Sequence, residues 1–228
     1  SGGEGRWSLV GELSGEVGAT KRAAALAQQL VARYGIVARE AATAESIRGG
    51  FSAVYEVLKR REEGGKVRRG YFVTGIAASQ FAQPGAIDML RSARVLPDVA
   101  EVIELAATDP VNPYGAMLPW PEPPPGRAVS RSVGARVILV DGELTAYLYK
   151  GETSLLVFLP EDEPRRTIVA RALVDALCSR VDGMKRRAML VAEIDGAPAA
   201  EHSLARFLTE EGFVATAKGY QFRRAAAR

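Results

Sequence analysis

Seven of the chain's twelve prolines fall within residues 106–126, "AATDPVNPYGAMLPWPEPPPG". Each proline fixes φ and removes a backbone donor, so no helix or central strand is expected to run through this stretch. Met117, Leu118 and Trp120 give it apolar groups with which to pack on a domain, so it reads as an ordered connector rather than a loose linker. At 228 residues the chain exceeds a usual single core, and the connector is the natural place to divide it. The expected layout is a tag or linker remnant with the end of a preceding module over 1–19, one domain over 20–105, the connector over 106–126 and a second domain over 127–228. "SGGEG" at the start carries no fold information.

The first domain reads as helices followed by a hairpin. In "TKRAAALAQQLVARYG", Ala23, Ala27, Leu30 and Tyr34 share one stripe with Leu26 beside it, Thr20 suits the start and Gly35 the end. Ile36-Val37 leads into a second short helix, "AREAATAES". In "FSAVYEVLKRREEGG", Phe51, Val54, Tyr55 and Leu58 fall at helical spacing, and Gly64-Gly65 end the run. "KVRRGYFV" and "SQFA" then read as two strands joined near Gly75, and "PGAIDMLRSA" as a fourth helix with Pro84 in its first turn. Three helices and a hairpin in this order predict a winged helix-turn-helix, whose third helix can enter a major groove while the wing follows the backbone.

After the connector the period changes. "ARVILV", "LTAYLYK" and "SLLVFLP" read as strands, with Asp141-Gly142 a two-residue hairpin signal between the first two. A helix is expected in "RRTIVARALVDALCSRVD", with Ile168, Val169, Ala172, Leu173, Ala176 and Leu177 inward. "RRAMLVAEI" is a further strand, "AEHSLARFLTEEG" a helix and "FVATAKGYQF" a last hairpin. The fold class is α+β: a winged helix followed by an antiparallel, β-barrel-like α+β domain.

Charge is uneven along the first half. Residues 1–126 hold fourteen Lys/Arg and fourteen Asp/Glu, yet residues 59–69 alone carry six basic and two acidic groups. The basic set is Lys59, Arg60, Arg61, Lys66, Arg68 and Arg69, at the end of the third helix and on the first wing strand. The planar guanidinium fork suits phosphate, so nucleic-acid contact is the first reading. An acidic face of another module, or a solvated helix end, would suit the same cluster.

Signals for chemistry are sparse. No G-x-x-x-x-G-K-[ST] loop and no G-x-G-x-x-G after a strand occurs, so the chain is not expected to bind ATP itself. One His and one Cys cannot supply a metal site, and no cofactor is expected. Cys178 reads as a small core residue and also forbids an internal disulfide. His202, expected near a helix start and exposed, reads as structural. Asp88, Asp109 and Asp141 are the carboxylates available for general-base work, with turn formation favoured for Asp109 and Asp141. No run of membrane-spanning length and no signal-peptide pattern is seen, which points to a cytoplasmic protein.

"TDPVNPYGAMLPWP" resembles a stretch of the C-terminal region of the large helicase-related (Lhr) family of bacterial superfamily-2 DNA helicases. "GRWSLV", "ALAQQLVARYGIVAREA", "GGFSAVYEVLKRREEGGKVRRGYFVTGIAASQFAQPGAIDMLR" and "VILVDGELTAYL" resemble it too, so the likeness covers nearly the whole chain. It implies part of an ATP-dependent, 3′-to-5′ DNA translocase linked to repair, with the motor lying N-terminal to this piece. It also implies single-stranded or tailed-duplex DNA and other modules of the parent as partners, and homo-oligomers, with the tetramer as the expected assembly. Tyr114, Met117, Leu118 and Trp120 are the residues expected at such an interface. The alternative is a base-excision module, because the architecture is also similar to winged-helix/β-barrel DNA glycosylases. Those use a Gln-x-Asp or Gln-x-Gln pair, whereas "QFAQ" at 80–83 has one residue too many between its glutamines.

Overall fold

A computed structural model describes residues 17–76, 79–95, 97, 99–183 and 188–223, together with Leu9, Gly11 and Gly15. Most of the expected linker at 1–19 lies outside the described residues. The chain divides into two compact units, 1–93 and 94–228. The division therefore falls ahead of residues 106–126, and the proline-rich segment belongs wholly to the second unit.

The first unit runs α1 (Ala19–Tyr34), β1 (Ile36–Val37), α2 (Arg39–Ala44), α3 (Ser52–Glu63), β2 (Arg68–Gly70), β3 (Gln80–Ala82) and α4 (Pro84–Ser92). Ala27, Leu30 and Val31 of α1 and Val54 and Leu58 of α3 are buried, as the helical spacing requires. Helix α1 begins at Ala19, with Gly18 at its cap position, so Thr20 lies inside the first turn and caps nothing. Gly35 ends the helix at φ 67°, its N–H donating to the Val31 carbonyl at 2.9 Å. Ile36 and Val37, read as a mere step, pair antiparallel with Ala82 and Phe81. This third strand gives the sheet the order β1-β3-β2 and completes the winged-helix topology. Wing strand β2 is shorter than its apolar sequence suggests, because Tyr71 to Ile76 leave the ladder and form a loop.

The second unit is built on a six-stranded sheet, with β4 (Val102–Ala106), β5 (Arg136–Val140), β6 (Glu143–Leu148), β7 (Ser154–Val157), β9 (Glu193–Ile194) and β10 (Ala197–Pro198) in the order β10-β9-β7-β6-β5-β4. Within this sheet, among the described residues, β7 and β9 run parallel and the other neighbours antiparallel. A separate three-stranded sheet holds β8 (Ala188–Val191), β11 (Val214–Thr216) and β12 (Gly219–Arg223) in the order β11-β12-β8. Among the described residues the large sheet is open, with β4 at one edge and β10 at the other, and no closed barrel forms. Helix α5 (Arg165–Gly183), a 3-10 turn (Ala199–Glu201) and α6 (Ala205–Glu210) complete the unit.

Both faces of the central strands β5, β6 and β7 are buried. Ile138, Ala146, Leu148 and Leu155 pack on α5 and the small sheet. On the opposite face Val137, Leu139, Leu144, Tyr147 and Leu156 are covered with help from Tyr114 and Trp120. A strand buried on both sides reads as a continuous apolar run, which is why "VILV" shows no alternation. Asp141 and Gly142 take φ 49° and 82° in the hairpin between β5 and β6, where left-handed positions favour this dipeptide. In α5 the buried stripe is Val169, Ala170, Leu173, Val174, Leu177 and Val181, while Ile168 is exposed and Ala172 and Ala176 are half-buried. The helix is apolar around most of its circumference, so periodicity alone could not choose between adjacent stripes.

Candidate nucleic-acid interface

The end of α3 is where the basic residues are gathered. Gly65 has φ 67°, and the Lys66 N–H donates to the Arg61 carbonyl while the Gly65 N–H donates to Glu62, both at 2.8 Å. This paired closure satisfies the last helical carbonyls and reverses the chain, and glycine is the residue that adopts the left-handed position without strain. The reversal puts Lys66 and Arg68 immediately after the helical turn bearing Lys59, Arg60 and Arg61. Lys59, Arg60, Lys66, Arg68 and Arg69 are exposed, and Arg61 is half-buried. Arg69 lies opposite Phe81 in register and so on the sheet face towards α3, where its Nε reaches Glu62 at 3.4 Å. An exposed pair of this kind contributes at most about 1 kcal/mol and leaves the guanidinium open to another anion. Arg61 Nε is buried and has no hydrogen-bond partner among the described residues.

The wing beyond β2 is held by one side chain that sequence reasoning passed over. Gln80 is fully buried at the start of β3. Its Oε1 accepts from the N–H groups of Phe72 and Val73, each at 2.9 Å. Its Nε2 donates to the carbonyls of Val73 at 2.9 Å and Ile76 at 3.2 Å. The amide thus uses its full capacity on the loop backbone. Tyr71 lies between β2 and this clamp and is 85% exposed. A polar residue within the apolar "SQFA" strand was the available signal for Gln80; nothing in the sequence signalled the exposure of Tyr71.

The remaining candidates are held in structural contacts. Asp88 is exposed and pairs with Arg91 at 3.2 Å. Asp109 Oδ1 accepts the Val111 N–H at 2.9 Å, which makes it a turn residue. Asp141 Oδ1 accepts the Glu101 N–H at 2.7 Å and its Oδ2 meets Arg165 Nη1 at 2.7 Å. His202 is half-buried, between the 3-10 turn and α6 rather than exposed at a helix start. Its Nδ1 accepts the Leu204 N–H at 3.1 Å and its Nε2 faces Asp195 at 3.2 Å, so neither nitrogen is free for catalysis. Cys178 is half-buried against the main core. Among the described residues no group of three or more His, Cys, Asp or Glu could hold a metal ion, and no helix is long and apolar enough to cross a membrane.

Within the connector, Tyr114 stacks on Trp120 at a 6.1 Å ring separation, and Trp120 meets Tyr147 edge-on at 5.8 Å. Tyr114 Oη accepts the Leu144 N–H at 3.0 Å. Arg131 donates to four backbone carbonyls, those of Thr108, Asp109, Asn112 and Tyr114, and gathers the segment into one turn. Gly115 has φ 73°, and a Cβ there would lie 2.3 Å from the Trp120 indole nitrogen. Met117 and Leu118 are half-buried. All four residues expected at an interface therefore sit in a segment folded onto its own sheet.

A second charged centre, absent from the sequence reading, lies in the last turn of α5. The Arg180 side chain is 4% exposed and pairs with Glu104 and, at 2.7 Å, with Glu152, while Arg136 also pairs with Glu104. Burial acts to lower the Arg180 pKa, but the bonds and charges of the two glutamates outweigh it and raise the pKa overall. Beside it a groove of about 780 Å³ is lined by Val102, Ile168, Ala172 and Ala176.

Residues 16–102 match the family described as "Large helicase-related protein, winged-helix domain". The chain is 39% identical over 196 residues, 84% of its length, to a Mycolicibacterium smegmatis protein named "Lhr helicase/ probable uracil glycosylase". It is 32% identical over 218 residues, 94% of its length, to an Escherichia coli K12 protein named "Lhr helicase/uracil glycosylase". It spans only 12% and 14% of the lengths of these two relatives. With its winged-helix unit matched to that family and its similarity to two Lhr proteins running over most of its length, the chain belongs to the large helicase-related (Lhr) family.

Proposed function

We propose that this chain is an accessory part of an ATP-dependent, 3′-to-5′ DNA helicase acting in repair, and that its winged-helix unit holds the phosphate backbone of DNA. The observation that carries the reading is the chain reversal at Gly64-Gly65, where the Lys66 N–H bonds back to the Arg61 carbonyl at the helix end that bears the exposed Lys59 and Arg60, with the exposed Arg68 two residues on. Phosphate contacts position a protein on DNA without reading sequence, and exposed arginines on a wing suit that task. ATP turnover and unwinding belong in this reading to the rest of the parent protein. In assembly of parent copies through the connector, Tyr114 and Trp120 are not the contact surface, because they are engaged with their own sheet. Met117 and Leu118, half-buried and outside the aromatic stack, would have to supply that interface.

The deciding experiment is a salt-dependent titration of the 228-residue chain with tailed duplex DNA. Replacing Arg68 and Arg69 together with Ala is expected to weaken binding about equally across sequences. The log–log salt slope should fall by roughly 1 for each phosphate that the variant no longer neutralises. Unchanged affinity and slope in a folded double variant would remove the cluster from the DNA surface.

A second reading, base excision, is favoured by the names of both relatives. It would need an activated carboxylate or amide beside an extruded base. Asp109 and Asp141 are tied to backbone groups, Asp88 is an exposed ion-pair partner, and the Gln80 amide is saturated. Incubating the chain with a uracil-containing single strand and then with alkali tests it: strand cleavage lost on one substitution within the chain would establish excision here.

A further inference from the structure

We propose that Tyr71 is a base-stacking residue, whose ring receives an unpaired nucleobase of a single strand held by the neighbouring cations. The inference rests on the phosphate-contact reading above and extends it from backbone to base. A lone exposed aromatic is ordinary on a protein surface, so exposure alone would carry nothing. Three further observations single this one out.

The first is position. Tyr71 follows Arg68 and Arg69 closely in the chain, so an 85% exposed ring stands at the end of the basic strand. Proteins that bind single strands combine such cations, which track phosphates, with aromatic faces on which bases stack. The second is rigidity. The residues just beyond, Phe72 and Val73, are fixed by the buried Gln80 amide through hydrogen bonds of 2.9 Å. A ring presented from a fixed backbone loses little freedom when a base settles on it. The third is that its neighbour has taken the sheltered place. Phe72 is half-buried, and its ring lies so close to Gly70 that a Cβ there would come within 3.0 Å of it. Tyr71 is left facing solvent, 85% exposed.

The occupant argued for is an unpaired base, because a duplex buries its base faces in its own stack. The test uses the 228-residue chain, a single-stranded oligonucleotide carrying 2-aminopurine, and a duplex of the same sequence. Tyr71→Ala is expected to weaken single-strand binding by about tenfold, as for loss of one base–aromatic stack, and to abolish the quenching of 2-aminopurine. Duplex binding and the salt slope should stay unchanged, because the phosphate contacts remain, and Tyr71→Trp should restore both affinity and quenching. Since the ring stands in solvent, the melting temperature should also hold. If Tyr71→Ala binds single strands like the parent sequence, or loses duplex binding equally, stacking is overturned. In that case a reduced slope in Arg68→Ala would show that the phosphate reading survives without it. If the unsubstituted chain binds neither nucleic acid, both readings fall. If Tyr71→Ala instead disrupts only a protein complex of the parent, the surface is a protein contact and the stacking proposal is wrong.

Discussion

Gln80 holds Val73 from both sides: its Oε1 accepts the Val73 N–H at 2.9 Å and its Nε2 donates to the Val73 carbonyl at 2.9 Å. A side chain that grips one residue's backbone in both senses fixes the loop's path. The wing is thereby made a presenting surface rather than a loose connection.

Removing that grip should loosen the wing first. Gln80→Ala leaves the N–H groups of Phe72 and Val73 and two carbonyls without their partner. Water can reach part of the loop, so the expected cost is about 2–3 kcal/mol. Amide exchange at Phe72 and Val73 should speed up more than in α1 or α3, which hydrogen-exchange measurement would show. Unchanged exchange at those two amides would refute the clamp.

The buried arginine of the second unit should be far more sensitive to truncation than an exposed pair. Arg180→Ala leaves Glu104 and Glu152 without their shared cation, although Arg136 still reaches Glu104. Losing one partner of a buried pair costs about 3–5 kcal/mol, and the residual exposure of the glutamates moves the expectation to the lower end. Arg171→Ala, which removes an exposed pair with Glu210, should change stability by less than about 1 kcal/mol. Thermal unfolding of the two variants side by side tests the contrast.

Trp120 should act as a plug for its own sheet face. Its ring lies between Tyr114 and Tyr147, so Trp120→Ala is expected to cost about 3 kcal/mol and to lower the melting temperature of the chain. An assembly anchor would behave differently, shifting the parent's mass in light scattering while leaving this chain's melting point nearly unchanged. Gly115→Ala should resemble the plug outcome, since the new methyl would collide with the indole.

The first unit should carry a small acid-sensitive element. The hydrogen bond from Tyr34, at 2.6 Å, and then the bond and charge of Arg33 hold the Glu45 carboxyl below its ordinary pKa. Protons therefore bind more readily to Glu45 in the unfolded chain. Its contribution is complete above the ordinary glutamate range and is lost as pH falls through the lowered folded value. Melting temperatures of the unsubstituted chain and Glu45→Gln should differ at pH 7 and converge as pH falls below about 4. A difference that stays constant down to about pH 2 would deny the linkage.

Sequence alone settled the parts of this protein that depend on neighbours in the chain. Helical spacing placed Leu30, Val54 and Leu58 inward, and two glycines closed α3. Asp141-Gly142 made a hairpin because its left-handed angles are intrinsic to those two residues. The winged-helix order and the basic cluster followed from the same local rules. Tertiary structure decided whatever joins distant positions. Ile36-Val37 became a strand only because Phe81 and Ala82 lay ready to pair with it. Residues 102–105, expected at the end of the first domain, pair instead with β5 of the second unit, which offered them an edge. Arg180 found Glu104, 76 positions away, and Gln80 found the wing across a loop. Periodicity records which face of a segment is apolar, but a hydrogen bond or ion pair between segments exists only once packing has brought them together and excluded water.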